Sequence, residues 1–209
     1  MREALQTLMT QTKLLVGVSG SIAALGTPHA LLWARESLGL TQVRVVLTPM
    51  ALRLVARPSF QAAVDDPVIA AWDDLGGGAA PHVRLANWPD VILVMPATAN
   101  ILAKLAQGAC DSLLTSILLA TEKPIVLAPA MNPVMWLKPA VQRNVEQLRA
   151  DGHEVIEPDK GLSLTSGARE GGSISDPRRP IITALTKVHG NFIDTVSGQA
   201  QKLRPNQTG

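Results

Sequence analysis

Five short apolar runs, each followed or preceded by a longer segment with helical spacing, constrain this 209-residue chain more than any other feature. The runs are KLLVGVS (13–19), QVRVVLT (42–48), VILVMP (91–96), PIVLAP (124–129) and HEVIEP (153–158). A strand with one wet face alternates apolar and polar residues. A run that is apolar at consecutive positions must be buried on both faces. Between the runs lie SIAALGTPHALLWARESLG, NILAKLAQGACDSLLTSILLATE and PVMWLKPAVQRNVEQLRADG, which are long enough to be crossover helices. Strands covered on both faces and joined by helices predict an α/β fold. The sheet is expected to be parallel and doubly wound, Rossmann-like or flavodoxin-like, with helices on both faces. In such a sheet ligands bind outside the carboxyl ends of the strands.

The length suits one such domain, expected over residues 13–190, with an N-terminal extension at 1–12 and a mobile polar tail at 191–209. Two segments break the alternation. Residues 56–90 form a long mixed crossover, and residues 159–180 are rich in Gly and Ser. Long loops at the functional edge of a sheet are commonly lids or binding loops. Aromatic residues are 3% of the chain and Tyr is absent, so the core must come from Ala, Val, Leu and Ile.

Charge and cysteine content exclude several functions. A net charge of +2, with no basic block longer than Arg178-Arg179, argues against nucleic acid. No apolar run reaches the roughly 18–20 residues of a membrane span, and the first residues lack a signal-peptide pattern. Cys110 is the only cysteine, which excludes an internal disulfide and suits the reducing cytoplasm. His29, His82, His153 and His189 show no metal-ligand spacing, so no metal is expected.

The strand ends carry the chemistry. After the first run, GVSGSIAAL supplies Gly17 and Gly20 for a tight turn and Ser21 to cap a helix. It is neither a dinucleotide fingerprint nor a Walker loop. The second run ends at Thr48, and the third in MPATAN, with Thr98 and Asn100 at a helix start. Each alone reads equally well as an ordinary cap. Three on one edge favour the phosphate of a mononucleotide-like ligand. His82, in PHVRLANWPD, is either a plain surface or core histidine or a general base, since histidine titrates near neutrality. The stretch PAMNPVMW (129–136) packs two prolines, two methionines, an asparagine and a tryptophan into the end of the fourth run, more than a plain turn requires.

GSIA, PHVRLANWPD, PATAN, ACDSLL and above all PAMNPVMW resemble the flavin-dependent cysteine decarboxylases. That family includes phosphopantothenoylcysteine decarboxylases and the peptidyl-cysteine decarboxylases of lantibiotic and related peptide pathways. The resemblance covers roughly residues 13 to 176 and implies FMN as cofactor. By it, Gly20, Ser21, Ile22, Thr48, Pro96, Thr98 and Asn100 match positions that hold FMN, largely its phosphate and ribityl chain. Asp111 and Ser112 fall in an adjoining flavin-binding motif, and Met131 packs by the flavin. His82 matches the active-site base and Asn132 the residue that grips the substrate carboxylate. Residues 159–176 match a clamp that closes over substrate. Family members form homotrimers, or dodecamers built of trimers, with FMN between subunits.

The implied chemistry is oxidation at the cysteine β-carbon. A thioaldehyde then serves as the electron sink that a simple cysteine lacks, carbon dioxide leaves, and an enethiol results. In phosphopantothenoylcysteine decarboxylases the clamp carries a cysteine that helps return the enethiol to a saturated thiol. Residues 159–176 contain none. The expected substrate is therefore a precursor peptide with a C-terminal Cys. The alternatives are a phosphopantothenoylcysteine decarboxylase with an altered clamp, or a non-catalytic flavin-binding regulator. Retention of both His82 and Asn132 speaks against the regulator. The PAMNPVMW pattern disfavours a flavin prenyltransferase of similar fold.

Overall fold

A computed structural model describes residues 2–76, 80–162 and 169–190. The chain opens with α1 (Arg2–Gln11) and β1 (Lys13–Val18). A 3-10 turn (Ile22–Gly26), α2 (Thr27–Trp33) and a π-helical turn (Ala34–Leu38) then lead to β2 (Gln42–Leu47). Gly39, at φ +76, ends that helical stretch in the left-handed conformation that glycine adopts without strain. The 56–90 crossover begins after α3 (Pro49–Leu52). It contains α4 (Arg57–Gln61), a 3-10 turn (Trp72–Leu75) and α5 (Pro81–Asn87) before β3 (Val91–Ala97). Next come α6 (Ala99–Ala106), α7 (Leu113–Ala120) and β4 (Ile125–Pro129). The chain continues through α8 (Pro133–Trp136), α9 (Pro139–Ala150) and β5 (Glu154–Val155). A hairpin of β6 (Asp159–Leu162) and β7 (Arg169–Ser173) precedes α10 (Arg178–His189).

The main sheet has order β2-β1-β3-β4-β5 and every pairing in it is parallel. That is the flavodoxin-like order, with the switch point between β1 and β3. The expected strands are present, although the fifth is shortened: only Glu154 and Val155 pair with β4. The hairpin forms a separate two-stranded antiparallel sheet. Its tip, and with it the centre of the expected clamp, lies outside the described residues, as does the expected tail at 191–209.

Alternate residues of each central strand serve opposite faces. Leu14, Val16 and Val18 of β1, with Val91, Leu93 and Met95 of β3, pack in one core with Met9, Leu31, Phe60, Ile181 and Leu185. Leu15, Ile92 and Val94 turn to a second core with Leu85, Leu102, Leu114, Ile117, Val145 and Leu148. The N-terminal residues are part of the first core. Met9 is fully buried, and the Thr12 hydroxyl meets His189 Nε2 at 2.9 Å. Gly17 lets α7 approach β1 on the second face. A Cβ there would stand 2.6 Å from Leu114 Cδ1. Among the described residues, no helix is long and apolar enough to cross a membrane.

Candidate active site

The ends of β1, β2 and β3 meet through one buried hydroxyl and two tight turns. Ser19 Oγ donates to the Pro96 carbonyl at 2.7 Å and accepts the Thr98 N–H at 2.9 Å. The Ser19 N–H also reaches the Pro96 carbonyl, at 3.2 Å. The Thr48 N–H donates to Val18 O at 3.0 Å, tying the end of β2 to β1. Gly20 packs against α3 so closely that a Cβ would fall 2.1 Å from Met50 Cγ. Three helix starts are thereby drawn to the switch point. Ser21 caps the turn at Ile22, Thr48 caps α3 and Thr98 caps α6, each accepting a backbone N–H of its own first turn. Ser21, Thr48 and Thr98 are half-buried, and Asn100 is exposed on the first turn of α6.

Sequence reasoning grouped Gly20, Ser21, Thr48, Pro96 and Thr98, and the fold brings them together. It missed Ser19, which makes the junction. A serine between Val18 and Gly20 carries no signal in sequence, because its partners are 77 and 79 residues away. Ser112 caps α7 in a reciprocal arrangement with Thr115, next to Leu114 above Gly17. The Asp111 carboxylate is held by Lys104 at 2.6 Å, and that hydrogen bond lowers its pKa.

Beyond β4, Ala130 N–H donates to Ala97 O at 3.0 Å and Met131 N–H to Gly172 O at 2.8 Å. Asn132 follows as the cap of α8, its Oδ1 accepting the Val134 N–H at 2.8 Å. That bond commits the carboxamide oxygen to the backbone and leaves the amide N–H donors for a partner. An exposed side chain that presents an amide NH2 suits a carboxylate. Met131 and Trp136 rest partly on the second core, while Val134, Met135 and Leu137 are exposed.

His82 is the second residue of α5, the helix that precedes β3. Its ring meets Trp72 edge-on, with centroids 5.4 Å apart and planes at 75°. The helix is entered from Ala80 at φ +46, a left-handed conformation that costs a residue with a Cβ about 1–2 kcal/mol.

The donor set at the switch point fits FMN. Neutral hydroxyls and helix-start N–H groups suit a phosphate, and exposed Ile22 and Met50 beside them suit the apolar part of a flavin. A flavodoxin-order sheet with hydroxyl-capped helix starts at its switch point defines the class of α/β protein that holds a mononucleotide at that edge.

Comparison with known proteins narrows the class. The chain belongs to the Flavoprotein family, whose sequence profile matches residues 2–178. It is 34% identical over 190 residues to mersacidin decarboxylase of Bacillus sp. (strain HIL-Y85/54728), covering 88% of this chain and 93% of that protein. It is 39% identical over 177 residues to the coenzyme A biosynthesis bifunctional protein CoaBC of Mycobacterium bovis (strain ATCC BAA-935 / AF2122/97). That match covers 84% of this chain, which spans only 41% of the bifunctional protein. Among solved structures, the FMN-dependent cysteine decarboxylase SpaF superposes with a TM-score of 0.77 at 42% identity, covering 87% of this chain and 99% of SpaF.

Proposed function

We propose that this protein is an FMN-dependent cysteine decarboxylase acting on the C-terminal cysteine of a precursor peptide. The product is an enethiol of the kind needed for aminovinyl-cysteine peptides. The observation that carries the reading is Asn132. Its oxygen accepts the Val134 N–H, which leaves its amide N–H donors for a substrate carboxylate, at the end of the strand next to the switch point. The likeness to mersacidin decarboxylase along nearly its whole length supports the same reading.

Ser21, Thr48 and Thr98, with Gly20, Ile22, Pro96 and Asn100 around them, would hold the phosphate and ribityl chain. Met131 would pack against the ring. Asp111 and Ser112 border that site. When bound, FMN supplies a two-electron oxidant for the cysteine β-carbon. Asn132 orients the carboxylate so that the bond to be broken is presented to the site. His82 takes the thiol proton as the carbon–sulfur bond gains double-bond character. The β6–β7 hairpin contributes the clamp. With no cysteine at 159–176, the enethiol leaves unsaturated. The reduced cofactor would then need an external two-electron oxidant, for which dioxygen is a candidate.

The active assembly is a homotrimer or a dodecamer built of trimers, with FMN between subunits. Ile22, Leu25, Met50, Leu52 and Leu54 leave exposed apolar surface around the first two strand ends, which suits burial against another copy. A cytoplasmic location suits the exposed free thiol of Cys110. No nucleic acid or membrane takes part.

The match to CoaBC favours a second reading, phosphopantothenoylcysteine as substrate. Mass spectrometry of both substrates with the flavin-loaded protein separates the two. A Cys-terminated peptide should lose carbon dioxide and two hydrogens. Conversion of phosphopantothenoylcysteine to the saturated thiol, with no reaction on peptides, would overturn the peptide assignment.

A further inference from the structure

Gly172 touches the loop before Asn132 in two independent ways. Its carbonyl accepts the Met131 N–H at 2.8 Å. Its Cα faces the same loop, so that an added Cβ would stand 2.5 Å from Met131 O, 3.3 Å from Pro133 N and 3.4 Å from Asn132 C. All three are backbone atoms, which cannot swing aside as a side-chain tip can. Gly172 is also at φ +89, where a Cβ is strained whatever the space around it. Its neighbour Gly171 has nothing within 4 Å of an added Cβ and does not share the positive φ. Of two adjacent glycines, one is required by contact and the other is not.

The loop is held partly by packing, where Met131 and Trp136 rest on the second core. Upstream, Ala130 N–H is tied to Ala97 O. Downstream, α8 is four residues long, and Val134, Met135 and Leu137 around it are exposed. A helix that short has no stability of its own. The Met131–Gly172 bond therefore joins the loop to the second sheet at the peptide just before Asn132.

We propose that Gly172 is a positioning residue for Asn132. The bare Cα sets how close β7 lies to the Met131–Asn132 peptide, and the carbonyl holds that peptide in place. Together they set where the Asn132 donors point. Because β7 is one strand of the hairpin, a shift of the hairpin moves the carboxylate grip with it. The inference rests on the reading of Asn132 as that grip.

Hydrogen exchange of the flavin-loaded wild-type protein, resolved to the Met131 amide, tests the tie without any variant. The amide should exchange at least about tenfold slower than the unprotected chain. Exchange at the unprotected rate overturns the proposal. Gly172→Ala should abolish that protection and raise KM for a Cys-terminated peptide about tenfold or more, with flavin content kept and kcat changed less. Gly171→Ala, whose Cβ meets nothing within 4 Å, should leave the Met131 protection intact. Equal Met131 exchange in the two variants, or a Gly172→Ala loss confined to kcat, also overturns it. A slowly exchanging Met131 amide in a protein inactive on Cys peptides would instead refute the proposed function and leave the tie standing.

Discussion

Ser19→Ala tests how the site is assembled. Ser19 is 3% exposed, and its hydroxyl both donates to Pro96 O and accepts from Thr98 N. Removing it leaves the Pro96 carbonyl with the Ser19 N–H as partner, so only one net hydrogen bond is lost there, about 0.5–1.5 kcal/mol. The part-buried Thr98 N–H loses its acceptor, which costs up to about 1–3 kcal/mol. The sum is about 1.5–4.5 kcal/mol, or a fall of roughly 3–18 °C in Tm for a domain of this size. The assay is thermal denaturation of the flavin-stripped protein, with Ser21→Ala beside it. Ser21 is half-buried and its cap bond is long, at 3.4 Å, so that loss should be at most about 1 kcal/mol. Flavin affinity should follow a different order, with Ser21→Ala severely weakened because in the proposed site this hydroxyl would hold the phosphate. A Tm for Ser19→Ala within about 2 °C of wild type would refute the claim that this hydroxyl is the junction of the strand ends.

Other perturbations separate binding from chemistry and from folding. Asn132→Asp keeps an oxygen to cap Val134 N–H, so Tm should hold. A carboxylate now faces the substrate's own, and about 1–4 kcal/mol of repulsion should raise KM for a Cys-terminated peptide tenfold or more in steady-state assays. His82→Asn should retain flavin, judged by its visible absorbance, and lose turnover; normal kcat removes His82 from the mechanism. Gly20→Ala drives a Cβ into Met50 and should destabilise by about 1–3 kcal/mol in urea titration while lowering flavin retention. Burial holds the imidazoles of His153 and His189 below their ordinary pKa, in His189 against the pull of the Asp90 carboxylate. Both rings are neutral in either state above the unfolded value of about 6.5. As pH falls through that value the unfolded chain binds protons first, and stability declines. The urea midpoint should therefore drop between pH 7.5 and 5.5, less so in His189→Gln; a profile rising toward acid contradicts the burial argument.

The strands were legible in the sequence because burial on both faces leaves a continuous apolar run, a property of neighbouring residues alone. The helix caps at Ser21, Thr48 and Thr98 were legible for the same reason, since a cap bonds within its own turn. With the family resemblance, those local signals placed the mononucleotide edge and singled out Asn132 and His82. What escaped is whatever depends on partners far along the chain. The fifth strand shrank to Glu154–Val155, the two residues in register with β4. The helical segment after β3 broke at residues 107–112, where the chain turns to set Leu114 over Gly17. His82 sits in a mixed crossover whose local structure the sequence left open; Pro81 is well placed as the first residue of a helix, which then packs Leu85 into the second core. Ser19 and Gly172 are small residues in small-residue stretches. Only the tertiary structure shows that one hydroxyl joins two strand ends and that one bare Cα meets the loop before Asn132, because each makes its contacts with backbone brought in from another part of the chain.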